Sequence, residues 1–153
     1  MTATRSTPRV HTSATSLAVA FAALLALGWS AATPRGDDSK LYDLMEGIKG
    51  NLKTIVSSVK DPKLDAKTQE ALAEMEASLL AAKGEMPTNL SDHRGDARAA
   101  HIAAYRADMA RTLIKVLEVE IAMLEGRRDE AFAIAVKDLH GMRKAGHGKY
   151  QGD

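Results

Sequence analysis

From Ser39 onward the apolar residues Leu41, Leu44, Met45, Ile48, Leu52, Ile55, Val56 and Val59 fall at offsets of 0, 3, 4, 7, 11, 14, 15 and 18. A single stripe at a period near 3.6 predicts an amphipathic helix. Asp61-Pro62 stops it, because the residue before a proline is pushed out of the helical region. A second helix starts near Leu64 or Asp65, turns Leu72, Met75, Leu79 and Ala82 inward, and ends at Gly84. After the loop Glu85-Met86-Pro87-Thr88-Asn89, a third helix begins between Ser91 and Asp96 and runs to Glu125. It carries Ile102, Tyr105, Met109, Leu113, Val116, Leu117 and Met123, and Gly126 ends it. A fourth, from about Arg128 to Tyr150, buries Phe132, Val136, Leu139 and Gly146 and leaves Lys137, Asp138 and Lys144 for water. No stretch alternates with the period of two that a strand needs. Short connections make neighbouring helices antiparallel, so the expected fold is all-α, an up-down-up-down four-helix bundle.

Ahead of the first helix the pattern changes. Residues 1–16 carry Arg5, Arg9 and His11 with no acid, and lead into the apolar run Leu17–Leu27 and then Trp29-Ser30-Ala31-Ala32-Thr33. A basic start, a short apolar core and small residues at 30 and 32 are the marks of a secretory signal peptide. The run of 11 is too short for a membrane anchor, which needs about 18 to 20 apolar residues. The expected organisation is a signal at 1–32 and a bundle at 33–153, exported to the periplasm, with no stable membrane insertion after cleavage. Removing Arg5 and Arg9 leaves 19 basic against 20 acidic residues, a formal charge of −1 where the precursor has +1.

Composition then narrows the chemistry. The 153 residues contain no cysteine, which excludes disulfides, Cys-ligated zinc or iron–sulfur sites, a Cys nucleophile and covalent c-type haem. Near-neutral charge argues against a nucleic-acid partner. No G-x-S-x-G, G-x-x-x-x-G-K-[ST] or H-E-x-x-H occurs, so neither hydrolase nor nucleotide chemistry has support and no enzymatic activity is expected. Seven Met stand against two Phe and one Trp.

The expected topology brings the start of the first helix and the end of the fourth to one end of the bundle. Met45 lies about two turns inside the first helix and His147 about one turn before the end of the fourth, so the two are neighbours in height. At about 100° per residue, His147 sits about 60° from the centre of the stripe made by Phe132, Leu139 and Tyr150. A thioether and an imidazole converging from facing helices would suit a six-coordinate haem iron. The alternative is plain: a Met on an apolar face is core, and a His near a helix C-terminus complements the dipole. His140, seven residues before His147, could form a transition-metal site with Met142, or be a solvated edge residue. His93 and His101 are expected to be exposed, and Arg127-Arg128-Asp129-Glu130 reads as a helix start with mixed surface charge.

Two segments carry a resemblance. Asp43-Leu44-Met45-Glu46-Gly47-Ile48-Lys49-Gly50-Asn51-Leu52-Lys53-Thr54-Ile55 resembles the first helix of the cytochrome b562 family, with its M-E-x-[LI]-x-x-N-L-K-x-I pattern. Leu139-His140-Gly141-Met142-Arg143-Lys144-Ala145-Gly146-His147-Gly148-Lys149-Tyr150 is similar to that family's last helix, L-x-x-x-R-x-A-x-H-x-K-Y. Met86-Pro87-Thr88-Asn89-Leu90 looks like its proline-containing link, and Leu124-Glu125-Gly126 like the last turn of its third helix. The resemblance implies a periplasmic bundle holding one non-covalent haem b between Met45 and His147, and hence a monomeric electron carrier with a periplasmic redox partner. Tyr105 and Met109 stand where the family offers two Phe to the haem. Arg143 resembles an arginine of the family's motif, there to meet a haem propionate or to extend its charge to solvent. Gln151 replaces a basic residue near the propionate end. Counted from Gly126, His147 arrives one residue later than in the family, an insertion expected in the turn between helices 3 and 4. The competing class is a haem-free bundle of the envelope that binds metal or a protein partner through its Met-rich surface.

Overall fold

A computed structural model describes residues 38–150; the signal-peptide reading of residues 1–32 and the reading of Gln151 lie outside them. Helix α1 spans Asp38–Ser58, α2 Asp65–Gly84 and α3 Gly95–Leu124. Helix α4 runs over 128–150 in three consecutive segments: Arg128–Ala133, a π-helical stretch Ile134–Leu139, and His140–Tyr150. Short 3₁₀ turns occupy Pro62–Leu64 and Thr88–Asp92, and no strand occurs among the described residues. Each helix packs on the next, and the π-helical stretch of α4 closes the ring against α1, giving the expected four-helix bundle. Among the described residues no helix is long and apolar enough to cross a membrane.

The helix ends follow local chemistry. Asp61 accepts the Lys63 N–H at 3.0 Å and caps the turn that Pro62 opens. At the end of α3, Gly126 takes φ +76°, its N–H donates to the Met123 carbonyl at 2.9 Å, and the Arg127 N–H donates to the Ala122 carbonyl at 2.7 Å. This is a Schellman motif, in which a left-handed residue lets the chain bond back onto the last turn.

The core is aliphatic and crossed by one polar tie. Ile55, Val59, Leu72, Met75, Val116, Val119 and Leu139 are all buried. Buried Ser58 donates to the Thr54 carbonyl at 2.7 Å, and Thr68 donates to the Ser58 hydroxyl at 2.8 Å, so neither hydroxyl is left unsatisfied where α1 meets α2. Arg128 grips Asp65 with two bonds of 2.7 and 2.6 Å and reaches the Val59 carbonyl at 3.1 Å, tying the start of α4 to the α1–α2 turn. Those bonds hold the Asp65 carboxyl below its ordinary range.

The inner faces of α3 and α4 differ from the expected ones. Tyr105, Met109, Val116, Met123 and Leu139 are buried as expected, but Leu117 and Val136 are exposed, Ile102, Phe132 and Gly146 are half-buried, and Val119, Ala122, Ala131 and Ala135 also face the core. In α4 the cause is the π-helical stretch, which takes an extra residue into one turn. The connection between α3 and α4 is the three residues 125–127, closed by the Schellman bonds, and the wide turn of α4 lies further on, in its π-helical stretch.

Two glycine substitutions should act in opposite directions. Gly126→Ala forces an L side chain into the left-handed region and should lower the unfolding free energy by about 1–2 kcal/mol. Gly50→Ala, in the middle of α1 where an added Cβ would meet nothing within 4 Å, should raise it by about 0.5–1 kcal/mol. Denaturant unfolding of each variant measures both.

Candidate cofactor site

A cleft of about 370 Å³ opens at the end of the bundle where α1 begins and α4 finishes. Leu41, Tyr42, Met45 and Ile48 form one wall, and Leu139, Met142, Arg143, Gly146 and His147 form the other. Its floor comes from Met75 and Leu79 of α2 and from Tyr105, Met109 and Thr112 of α3. All five residues singled out from the sequence, Met45, His147, Tyr105, Met109 and Arg143, therefore line one cavity. Met45 is half-buried, whereas His147 is exposed, at the rim and not in the core. A Cβ at Gly146 would meet no atom within 4 Å, so nothing fills the space beside that helix turn.

Four of the seven methionines gather here: Met45, Met75, Met109 and Met142. Unbranched thioethers adapt to a flat ring more readily than branched aliphatics do. Met142, paired in the sequence reading with His140 as an edge metal site, faces the cleft, while His140 is exposed. Among the described residues no group of three or more His, Asp or Glu side chains could hold a metal ion.

One polar atom in this wall is conspicuous. The Nε of Arg143 is buried and has no hydrogen-bond partner. A buried charged donor without a partner costs about 1–3 kcal/mol, and the same side chain lines the cleft. An apolar slot lined by a thioether, an imidazole and an arginine fits a haem and its carboxylates.

The end of α4 is held by residues whose role the sequence did not disclose. Tyr150 donates its O–H to Asp108 Oδ2 at 2.5 Å, and Lys149 Nζ reaches the same oxygen at 2.9 Å. Thr88 Oγ1 donates to the Tyr150 carbonyl at 3.2 Å, and Asn89 Nδ2 to the Lys149 carbonyl at 3.0 Å, satisfying carbonyls that a helix end leaves open. Burial pushes the Asp108 carboxyl up, but the hydrogen bonds from Tyr150, Lys149 and Arg111 outweigh it and hold the group below the usual carboxylate range. Tyr105 donates to the Ala82 carbonyl at 2.7 Å, and its phenol is pushed up to about 12, chiefly by burial, so it stays protonated. The Thr88-Asn89 pair after Pro87 was the available signal, since such side chains cap backbone groups.

His93 and His101 are half-buried and not exposed as expected. Their rings stack with centroids 3.9 Å apart, and His101 Nε2 lies 2.9 Å from Asn89 Oδ1.

The cytochrome b562 family model matches residues 40–151. The chain belongs to the cytochrome b562 family. Members of this family are haem-binding four-helix bundles that carry electrons and are not typically enzymes, and both end motifs of the cleft lie inside the matched span. A comparison with curated proteins returns no match.

The histidine pair sets a pH dependence. Burial, then the charges of His93 and Lys149, lower the His101 imidazole below its ordinary 6.5, against a small opposing effect of Asp92. Unfolding therefore takes up a proton, so this contribution to stability is complete above the unfolded value and is lost as pH falls from there toward the folded one. Unfolding midpoints measured from about pH 7.5 to about pH 5 should fall for the parent protein and fall less for His101→Gln.

Proposed function

We propose that the protein is an exported, periplasmic electron carrier that holds one haem b non-covalently, with the Met45 sulfur and the His147 imidazole as axial ligands. The observation that carries this reading is the convergence of those two side chains on one apolar cleft whose wall also holds the unsatisfied Arg143 Nε. The absence of cysteine restricts the group to a non-covalent one. Haem iron, when bound, supplies a one-electron couple, and thioether–imidazole ligation sets its potential above that of a bis-imidazole site. The protein's own share is positional. Met45 comes from a helix whose apolar stripe is anchored by Ile48 and Leu52, and His147 from a turn fixed by the Tyr150–Asp108 and Asn89 bonds. Met109 and Met142 would supply soft contacts to a bound ring, and Arg143 a donor for a carboxylate. Because His147 is exposed at the rim of the cleft, a haem held there would be within reach of a periplasmic redox partner.

Haemin titration of the exported protein should give a narrow low-spin Soret band. Met45→Ala should shift the bound form to high spin, His147→Ala should weaken binding by about tenfold or more, and Arg143→Leu should weaken it with the spin state unchanged. A flat titration of the folded protein would overturn the reading in favour of a haem-free bundle.

A further inference from the structure

Helix α3 is apolar on two faces. Its inner face carries Tyr105, Met109, Val116, Val119 and Met123 into the core, yet Ile114, Leu117, Ile121 and Leu124 remain 54, 38, 50 and 68% exposed on the opposite side. Bundle helices ordinarily turn charges to that side. The four fall at spacings of 3, 4 and 3, the a and d positions of a coiled-coil seam, with isoleucine at a and leucine at d. Continued toward the N-terminus, the same register lands on Ala110, Ala107, Ala103 and Ala100, so half of the seam is large and half is small.

We propose that this outer face of α3 is the interface of an antiparallel, two-fold dimer of the chain. Reversing one α3 about a point near Thr112 and Leu113 sets Ile114 against Ala110 of the second copy, Leu117 against Ala107, Ile121 against Ala103 and Leu124 against Ala100. Each large side chain then meets a small one, and the arrangement is self-complementary as an isologous interface requires.

The charges choose the same register. Most charged groups along the flanks are already paired within the subunit: Arg111 with Asp108 at 2.7 Å, Lys115 with Glu118 at 2.6 Å, and Arg127 with Glu125 and Glu130. Arg106 and Glu120 have no such ion pair among the described residues, and Glu120 instead bears on Glu76, whose carboxyl is pushed up first by burial and then by that neighbouring charge. The two lie fourteen residues apart on one flank of the seam, centred on Leu113. Antiparallel pairing places each Arg106 beside the Glu120 of the second copy, whereas a parallel pair would bring Glu120 to Glu125 and Arg106 to Arg111. The face is therefore read as self-association, in place of the monomer expected from the sequence.

Sedimentation equilibrium of the exported protein should show a dimer that Ile121→Glu converts to monomer while circular dichroism still reports a folded bundle. Arg106→Glu and Glu120→Arg alone should each raise the dimer dissociation constant by about tenfold, and an equimolar mixture of those two variants should associate again, because each then supplies what the other lacks. A monomeric parent protein, a dimer indifferent to Ile121→Glu, or a mixture no tighter than its components would each overturn the proposal.

Discussion

The helix that carries Arg143 and His147 has to present one face to the core at Ala131, near its start, and again at Tyr150, nineteen residues later. At about 100° per residue a regular α-helix would leave those two positions about 100° out of line, with one of them facing water. Taking one residue into a wider turn removes that mismatch, and the π-helical stretch Ile134–Leu139 does so at the level where α4 packs on α1. Ala131, Ala135 and Leu139 then stay buried at spacings of four, and the turns beyond them bring Met142, Arg143 and Gly146 to the cleft. The place of His147 at the rim of the cleft that Met45 lines follows from that helix phase.

Phase alone would not hold the last turn in place. Three side chains outside α4, Thr88, Asn89 and Asp108, bond its terminal carbonyls and the Tyr150 hydroxyl, and the edge-on contact of Tyr105 with Tyr150 at 5.2 Å backs them. The His93–His101 stack closes the outside of this clamp through Asn89. Burial, with the charges of His93 and Lys149, holds the His101 imidazole below its ordinary value at this point of the clamp.

Much of this was legible in the chain. Pro62, Gly84 and Gly126 mark helix ends because their backbones admit few alternatives, and the stripe of α1 is unambiguous since its opposite face is polar. Met45 and His147 stand out by helix position, Tyr105, Met109 and Arg143 only through the family resemblance, and all five line the cleft. What failed did so for physical reasons. In α3 both faces are apolar, so periodicity could not say whether Leu117 or Val119 turns inward. In α4 a constant 100° per residue selects Phe132 and Val136, and only the extra residue in the π turn moves the buried face to Ala131 and Ala135. The burial of His93 and His101 depends on a contact with Asn89 across a loop, which no local pattern encodes.

The unfolding free energy of a chain lacking Val136, an exposed residue inside the π-helical stretch, tests the phase of α4 most directly. Removing it should turn the stretch into regular α-helix with Ala131 and Tyr150 still in line, leaving stability equal to or above that of the parent protein. A loss of about 3 kcal/mol or more, the scale of a core thrown out of register, would contradict the account.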